Sequence, residues 1–319
     1  MKPLRSMFAA SVIAFAVPGA LAQQYPAKPV RVIVSTVPGP LDAFTRVVVQ
    51  KLGERTKQNF VVENRPGAGG NVATELVAKA PSDGYTLLSA IDTTFTVNPS
   101  MYSRLPFHPE RDFAIISVPV TYNQMLAVHP SVPAKSVREL LGLARQRPMS
   151  YASGGNGTPS HLAMAYFLAM SGARINHVPY KGTGQSIVDV VGGQVETIFA
   201  VVTGVYPHVQ AGKLRALAVS TPQRSALAPE VASVAEQGYP KYDASFAYVF
   251  AAPASTAPEV VQMLNREMVA VLALPDVQEK NRLWDYVPTG LDPGKSSVWL
   301  RDSRAKYSKL IESAGIRVD

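Results

Sequence analysis

The sequence contains no cysteine. This absence excludes disulfides, thiol nucleophiles, thiolate metal sites and a lipidated cysteine. Charged residues are also few, at 17% against 47% hydrophobic residues. This composition fits a globular protein and not a disordered one. The apolar run at residues 7–17 is shorter than the ~20 residues that a membrane span needs, and no later run is both long and free of charge. Because it has no disulfides or thiolate metal sites, the fold must be held together by its hydrophobic core alone.

The first residues have the pattern of a secretory signal. Lys2 and Arg5 precede the apolar run, and the small residues of Gly19-Ala-Leu-Ala22 have the spacing of a cleavage site. We predict that residues 1–22 are a signal peptide, cleaved after Ala22, and that the mature protein is exported to the periplasm. Removing 22 residues from 319 leaves 297, which is enough for two lobes.

The formal charge of +8 falls to +6 when Lys2 and Arg5 are removed. The remaining Lys and Arg residues are scattered and do not form a run with interleaved aromatic residues, as a nucleic-acid-binding surface would. Together with export, this distribution argues against a nucleic-acid partner. A mild preference for small anionic molecules is the interpretation that we adopt.

The N-terminal third alternates between strand-like and helix-like patterns. Strand-like runs at residues 30–34, 60–63 and 85–90 enclose two segments, 43–55 and 72–80, in which apolar residues recur every three or four positions. This order predicts a β-α-β-α-β unit with a parallel sheet and helices on its faces. The chain is therefore expected to be an α/β protein.

A second unit begins near Tyr122. Its predicted elements are a strand at 125–129, a helix at 137–145, a strand at 149–152, a helix at 159–170, and strands at 175–178 and 214–220. A strand at 246–252 is expected to return to the first lobe, before helices near 258–272 and 296–314. The chain would thus cross twice between lobe 1, residues 23–122 plus 230–319, and lobe 2, residues 123–229.

Three glycine-bearing loops each lie between a strand-like and a helix-like run. They read Ser35-Thr-Val-Pro-Gly-Pro-Leu-Asp42, Asn64-Arg-Pro-Gly-Ala-Gly-Gly-Asn71 and Ser153-Gly-Gly-Asn-Gly-Thr158. The first amides of a helix have no partner within it, and the helix dipole places partial positive charge there. Each loop could therefore bind an anion, and several of them together suggest a receptor for a small anion.

The order of several motifs resembles that of the Bug-type solute receptors of tripartite tricarboxylate transporters, over nearly the whole mature chain. The motifs are Tyr25-Pro-Ala-Lys-Pro29, Val62-Glu-Asn-Arg-Pro-Gly-Ala-Gly-Gly-Asn71, Val77-Ala-Lys-Ala-Pro-Ser-Asp-Gly-Tyr-Thr-Leu87, Asn98-Pro99, Leu105-Pro106, Asp112-Phe113, Tyr151-Ala-Ser-Gly-Gly-Asn-Gly-Thr158, His161-Leu162, His177-Val-Pro-Tyr-Lys-Gly182 and Ala211-Gly-Lys-Leu-Arg-Ala-Leu-Ala-Val219. Each motif is weak alone; their common order is specific.

This resemblance implies a two-lobed periplasmic binding protein of the type II-like class. Each lobe would be a mixed, mainly parallel sheet flanked by helices, with two crossing strands as the hinge. The lobes would close on a small mono- or dicarboxylate, aromatic acids included, and deliver it to integral-membrane transporter subunits. The resemblance implies no catalysis and no cofactor or metal, and we expect a monomer.

Two positions depart from the family pattern. The family's first loop usually reads Pro-Gly-Gly, two further residues and Asp, whereas here Pro40 and Leu41 directly follow Gly39, so that the loop is one residue shorter and lacks one amide donor. The family commonly has an aspartate where this chain has Ala200. Both differences concern specificity, which the sequence alone does not define.

The loops and the resemblance together give a predicted set of ligand contacts. It comprises Ser35, Thr36, Val37, Pro38, Gly39, Ala68, Gly69, Gly70, Asn71, Ser153, Gly154, Asn156, Gly157, His161, Tyr180 and Thr183. Asn71 and Thr158 are also candidate N-caps, and Pro159 is the expected first residue of its helix. Asp42 is expected to have a structural role at a helix start, and Lys181 to be a solvated loop charge.

Two other functions fit parts of the sequence. A Ser-His hydrolase could use Ser153, but the Gly-x-Ser-x-Gly pattern fails at Tyr151, and the glycine loops fit neither dinucleotide-binding nor Walker patterns. A periplasmic sensor or co-receptor of the same fold would differ from a transport receptor only in the protein to which it docks. We therefore predict a solute receptor and no enzymatic activity.

Overall fold

The computed structural model describes residues 25–314, so the predicted signal peptide lies outside the described residues. The strands are β1 (Val30–Val34), β2 (Phe60–Asn64), β3 (Thr86–Ile91), β4 (Phe113–Ser117), β5 (Val120–Tyr122), β6 (Gln124–Val128), β7 (Ser150–Ser153), β8 (Asn176–Pro179), β9 (Thr197–Val201), β10 (Arg215–Val219), β11 (Phe246–Pro253) and β12 (Tyr286–Pro288). The helices are α1 (Pro40–Thr56), α2 (Asn71–Ala78), α3 (Thr93–Thr96), α4 (Asn98–Met101), α5 (Val137–Gln146), α6 (Pro159–Ser171), α7 (Thr183–Val191), α8 (Val202–Gln210), α9 (Pro258–Leu272), α10 (Pro275–Leu283) and α11 (Pro293–Ala314), with a 3-10 turn at Ala68–Gly70.

Two separate sheets form the centres of two α/β lobes. The first has seven strands in the order β12-β5-β11-β3-β1-β2, with β4 also paired to β11, and the second has five in the order β10-β6-β9-β7-β8. Apolar residues of β1 and of helix α1, such as Val32, Phe44 and Leu52, are fully or almost fully buried in the first lobe. This confirms the predicted α/β class and its two-lobed arrangement.

Both sheets are mixed, as expected, but they are not mainly parallel. Strand β1 pairs in parallel with β2 and β3, and β7 pairs in parallel with β8 and β9. Strand β11 is antiparallel to β3, β4 and β5, and β6 is antiparallel to β9 and β10. The parallel portions are those joined by helices, whereas the returning strands reverse direction through loops.

The lobes are joined by two neighbouring segments. One is the short step from β5 to β6 through Asn123, and the other follows Ser220 after β10. The Ser220 hydroxyl accepts a hydrogen bond from the Gln124 amide at 2.8 Å and donates one to the Ala244 carbonyl at 2.9 Å, so it ties the two segments together. This pairing provides the hinge that the family fold requires.

The predicted lobe boundary at residues 229 and 230 stays a prediction. Past that boundary, the Val234 amide donates to the Val219 carbonyl in the second sheet, and the Gln237 side chain donates to Leu217. Tyr242 is fully buried and donates a hydrogen bond to the Ala163 carbonyl of α6. Much of the chain between β10 and β11 therefore packs on lobe 2 before it returns.

Several elements were not predicted. Strand β9 is buried from Thr197 to Ala200 and apolar from Ile198 onward, so it shows no alternation, and helix α8 contains Pro207 in its interior. Helices α3 and α4 span only four residues each, too few to display a helical period. None of the helices within residues 25–314 is long and apolar enough to cross a membrane.

Replacing Ser136 by Ala is expected to lower the free energy of unfolding by about 1 kcal/mol. The Ser136 hydroxyl caps helix α5 by accepting a hydrogen bond from the Glu139 amide at 3.2 Å, and the Glu139 carboxylate accepts one from the Lys135 amide. Urea unfolding measures the loss, and Ser136→Asp, which keeps a capping oxygen, should retain wild-type stability. An unchanged value for Ser136→Ala would contradict the capping role.

Candidate functional site

The candidate site is a cavity of about 280 Å³ in which loops of both lobes meet. Lobe 1 contributes the first two glycine loops and the α3–α4 segment, and lobe 2 contributes the third glycine loop. The lining residues are Ser35, Thr36, Val37, Pro66, Gly67, Ala68, Gly69, Gly70, Ile91, Thr93, Thr94, Asn98, Met101, Tyr102, Asn156, Gly157, Thr158 and Pro159. No charged residue is among them, so any charge on a ligand would be met by amide and hydroxyl dipoles.

The first loop follows β1 and is held in place by its backbone. The Ser35 amide donates to the Ser89 carbonyl at 3.0 Å, and the Thr36 carbonyl accepts a hydrogen bond from the Asn64 side chain at 3.0 Å. The Ser35 hydroxyl has no hydrogen-bond partner among the described residues, although the residue is only 4% exposed. The amides of Thr36 and Val37 have none there either. Three donors of this loop thus remain available to a ligand.

Asp42 is hydrogen-bonded within lobe 1, in line with its expected structural role at the start of a helix. Helix α1 begins at Pro40 with Gly39 as the N-cap. The Asp42 carboxylate accepts a hydrogen bond from the Arg46 guanidinium at 2.9 Å. Burial alone would raise the pKa of Asp42, but the hydrogen bonds from Arg46 and Asn64 outweigh it and hold the pKa below its usual value. Asp42 therefore stays ionised and paired within lobe 1.

The second loop depends on glycine. Gly70 has φ +94, and a Cβ at this position would lie 2.7 Å from the Thr94 hydroxyl, so any side chain would collide with the cavity wall. Gly70, and not Asn71, is the N-cap of α2. The Asn71 side-chain oxygen accepts a hydrogen bond from Asn98 at 2.7 Å, which corrects the predicted capping role. The amides of Ala68 and Gly69 have no hydrogen-bond partner within residues 25–314.

The α3–α4 segment forms a wall of the cavity that sequence analysis missed. The Asn98 side chain donates to the Gly69 carbonyl at 3.0 Å as well as to Asn71, which fastens this segment to the second loop. Thr93 is 7% exposed, and its hydroxyl has no hydrogen-bond partner in the described part of the chain. The Asn98-Pro99 pair, noted only as a family motif, was the one signal in the sequence.

The third loop begins at the end of β7 and is braced from behind. The Gly154 amide donates to the Ser160 hydroxyl at 2.9 Å, and the Gly157 amide donates to His161 Nδ1 at 3.1 Å. Thr158 is the N-cap of α6 and Pro159 its first residue, as predicted. The Thr158 hydroxyl, however, donates to the Gly155 carbonyl at 2.7 Å and caps no amide.

An aromatic stack lies beneath this loop. The rings of His161 and His177 are 4.1 Å apart and nearly parallel, and Tyr151 stacks on His177 at 4.7 Å. Burial, with the neighbouring His177 as a second cause, lowers the pKa of His161 to about 3, and burial lowers that of His177 to about 4. Both rings are therefore neutral near pH 7 and act as packing groups beneath the loop.

The structure brings only half of the predicted contacts to the cavity surface. Ser35, Thr36, Val37, Ala68, Gly69, Gly70, Asn156 and Gly157 line it. The other predicted contacts do not line it: Pro38, Gly39, Asn71, Ser153, Gly154, His161, Tyr180 and Thr183. Most of these residues have a polar group that is hydrogen-bonded within the protein. Direct ligand contact by residues of either group stays a prediction.

The loop between β8 and α7, residues 180–182, supports the third glycine loop and does not line the cavity. The Tyr180 hydroxyl donates to the Asp189 carboxylate at 2.7 Å, and the Tyr180 amide donates to the Ser153 carbonyl at 3.0 Å. Thr183 lies directly behind Gly154, where an added Cβ would be 2.7 Å from the Thr183 hydroxyl. The side chain of Lys181 is solvent-exposed, as expected. Ala200 is fully buried in the core of lobe 2, away from the cavity lining.

The geometry does not suit a serine hydrolase. Ser153 is fully buried, and its hydroxyl is 2.6 Å from His177 Nε2 and accepts a hydrogen bond from the Gly155 amide. No carboxylate within residues 25–314 is hydrogen-bonded to His177, so the pair lacks the acid that would orient a catalytic base. The Ser153–His177 pair instead fixes the third loop.

No group of His, Asp or Glu residues among those described could hold a metal ion.

Comparison with known proteins points to one family. The sequence model described as "Tripartite tricarboxylate transporter family receptor" matches residues 44–316. The chain is 34% identical over 292 residues to the UPF0065 protein in the tcbD-tcbE intergenic region of Pseudomonas sp. strain P51, covering 90% of this chain and 86% of that protein. It is 32% identical over 301 residues to protein BugT of Bordetella pertussis, covering 93% and 92%.

A solved structure resembles the whole described chain. The structure of R. palustris Rpa4515 with adipate has a TM-score of 0.83 and 31% sequence identity, and the match covers 92% of this chain and 100% of that one. It is one of several periplasmic binding proteins with the same two-lobed fold.

Proposed function

Because the chain belongs to the receptor family of tripartite tricarboxylate transporters, we propose that it binds a small carboxylate in the cavity between its lobes. The chain is a solute receptor and not an enzyme, as the sequence predicted. The observation that carries the carboxylate proposal is the set of unpartnered donors in a cavity without charged side chains. These donors are the Ser35 and Thr93 hydroxyls and the amides of the first two loops.

Burying the charge of a carboxylate costs free energy that hydrogen bonds must offset. A carboxylate leaves water only where hydrogen bonds replace its hydration, and a buried donor without a partner is itself unfavourable. The unpartnered donors and a carboxylate therefore satisfy each other. The N-terminus of α1, next to the first loop, adds partial positive charge without a fixed cation. The adipate carried by the R. palustris relative supports a carboxylate as the ligand class.

We further propose that the receptor works in the periplasm as a monomer and delivers its ligand to integral-membrane transporter subunits. The predicted export signal at residues 1–22 and the family's role in transport support this assignment. A periplasmic sensor or co-receptor would use the same cavity but dock to a different protein. A pull-down from membranes, with and without the bound acid, separates the two, because only a transport receptor should recover transporter subunits.

A thermal-shift screen of carboxylates is expected to identify ligands. An acid present at about 100 times its Kd should add about 2.7 kcal/mol to the free energy of unfolding, which raises the Tm of a protein of this size by several degrees. The screen should include aliphatic mono- and dicarboxylates and aromatic acids. If none of them raises the Tm, the receptor has no carboxylate ligand and the proposal fails.

Replacing Ser35 by Ala is expected to weaken binding of the best acid about tenfold, since one hydrogen bond to a charged group is lost. Ser171→Ala is the matched control, because that hydroxyl lies at the end of α6, outside the cavity, where it donates to the Leu168 carbonyl and accepts from the Ala173 amide. Calorimetric titration of both variants gives the two Kd values. Equal affinities would remove Ser35 from the binding site.

A further inference from the structure

Met101 is one point at which the two lobes touch beside the cavity. It ends α4, is 3% exposed and lines the cavity. Across the cleft, Gly157 of lobe 2 lies so close that a Cβ there would be 2.7 Å from Met101 Sδ and 3.0 Å from its Cε. Only a residue without a side chain can approach the thioether in this way.

Both partners in this contact have rigid supports. Gly157 has φ +72, and its amide donates to His161 at the start of α6. Met101 belongs to the segment that Asn98 fastens to the second loop. The Met101 side chain is the flexible element between these supports, because a thioether with three rotatable bonds adapts its shape to its surroundings.

We propose that Met101 determines ligand size: its side chain limits the length of the acid that fits, and its contact with Gly157 links that length to closure of the lobes. This inference rests on the proposed carboxylate-receptor function. The donors for the carboxylate group lie on the first two loops and at Thr93, whereas Met101 offers only apolar surface and therefore faces the body of the ligand. A ligand that is too long displaces the Met101 side chain and thereby removes its contact with Gly157.

The first test is a chain-length profile for the full mature protein. Calorimetric titration is done with straight-chain acids from acetate to octanoate, diacids from malonate to suberate, and phenyl acids from benzoate to phenylbutyrate. The wild type should bind one length best. Met101→Ala, which removes three heavy atoms, should bind a longer acid best and bind the wild-type optimum about tenfold more weakly.

Met268→Ala is the matched control for the loss of a buried methionine. Met268 lies in α9 of the same lobe, is 1% exposed and is outside the cavity, so this variant should keep the wild-type length optimum. The inference is overturned if Met101→Ala keeps that optimum, or if the wild type binds acids without regard to length. If the wild type binds no acid of any series, the proposed function itself fails and the inference falls with it.

The second test is a double-mutant cycle on the interlobe contact. Gly157→Ala should weaken binding of the best acid at least tenfold in the wild type, but no more than about threefold when Met101 is already Ala. Gly172→Ala is the control for backbone strain, since Gly172 has φ +65 and open space around it, and it should leave the affinity unchanged. Equal effects of Gly157→Ala in both backgrounds would show that the contact does not couple closure to binding.

Discussion

Replacing Asp92 by Asn is expected to stabilise the protein increasingly as the pH rises, with a gain that grows by on the order of 3 kcal/mol between pH 5 and pH 8. Asp92 is completely buried at the end of β3. Burial raises its pKa to about 7, and the hydrogen bond from the Ala247 amide and the charge of Lys306 offset this only in part. One carboxylate oxygen has no hydrogen-bond partner among the described residues.

The sign of the effect follows from the two states. The unfolded chain loses this proton near pH 4, whereas the folded protein holds it up to about pH 7. The free energy of unfolding contributed by Asp92 therefore falls as the pH rises through that window. Asn keeps the oxygen that accepts from Ala247 but carries no charge, so the fall disappears. The position matters because Asp92 joins strand β11 to the start of the cavity-lining segment α3.

Urea unfolding at pH 5, 6, 7 and 8 measures this dependence. Asp302→Asn is the matched control, since this carboxylate is exposed on α11, and its removal should leave the pH dependence as in the wild type. If the stabilities of Asp92→Asn and the wild type change with pH in parallel between pH 5 and pH 8, the buried carboxylate does not hold its proton in the folded state.

Replacing His161 by Phe is expected to change the pH dependence in the opposite direction. The unfolded ring takes up a proton near pH 6.5, but the buried folded ring does so only near pH 3. The stability that His161 contributes is therefore complete above pH 6.5 and is lost as the pH falls, by on the order of 3 kcal/mol at pH 4.5. Phe cannot be protonated, so this loss should vanish.

The variant has a separate effect at neutral pH. Phe keeps an aromatic ring against His177 but cannot accept the hydrogen bond from the Gly157 amide, so Phe should destabilise the protein by about 1 kcal/mol at pH 7.5. Unfolding curves from pH 7.5 to 4.5 test both effects. His208→Phe, a ring exchange on α8 outside the stack, is the control. A variant whose stability changes with pH in parallel with that of the wild type would contradict the neutral state of His161.

The two groups oppose each other in the wild type. Between pH 6.5 and 4.5 acidification favours folding through Asp92 and opposes it through His161, by similar amounts. The wild type should therefore show little net change from this pair. Relative to the wild type, the Asp92→Asn variant should lose stability on acidification in that window and the His161→Phe variant should gain it, which makes the comparison of the two variants the most sensitive measurement.

The sequence predicted secondary structure best where apolar residues recur with a regular period and turn residues or proline mark the ends of the segment. Strand β1 and helix α9 have the predicted bounds, because their apolar patterns are regular and their ends are marked by turn residues or proline. The glycine loops were also visible, since glycine is required where the backbone turns sharply after a strand. The mainly parallel arrangement was wrong because the direction of β11 depends on how the chain returns between the lobes.

By itself, the sequence determined the α/β class, the two lobes and the loops that surround the cavity, since these depend on local periodicity and turn chemistry. Only the tertiary structure decided which side chains the cavity exposes. Ser153 and His161 had the chemistry of ligand contacts, but each found a partner within the protein. Met101 and Thr93 carry no local signal and became cavity walls because distant segments pack around α3 and α4. A hydrogen-bonding side chain is available to a ligand only when the fold leaves it unpaired, and that is a property of the whole structure.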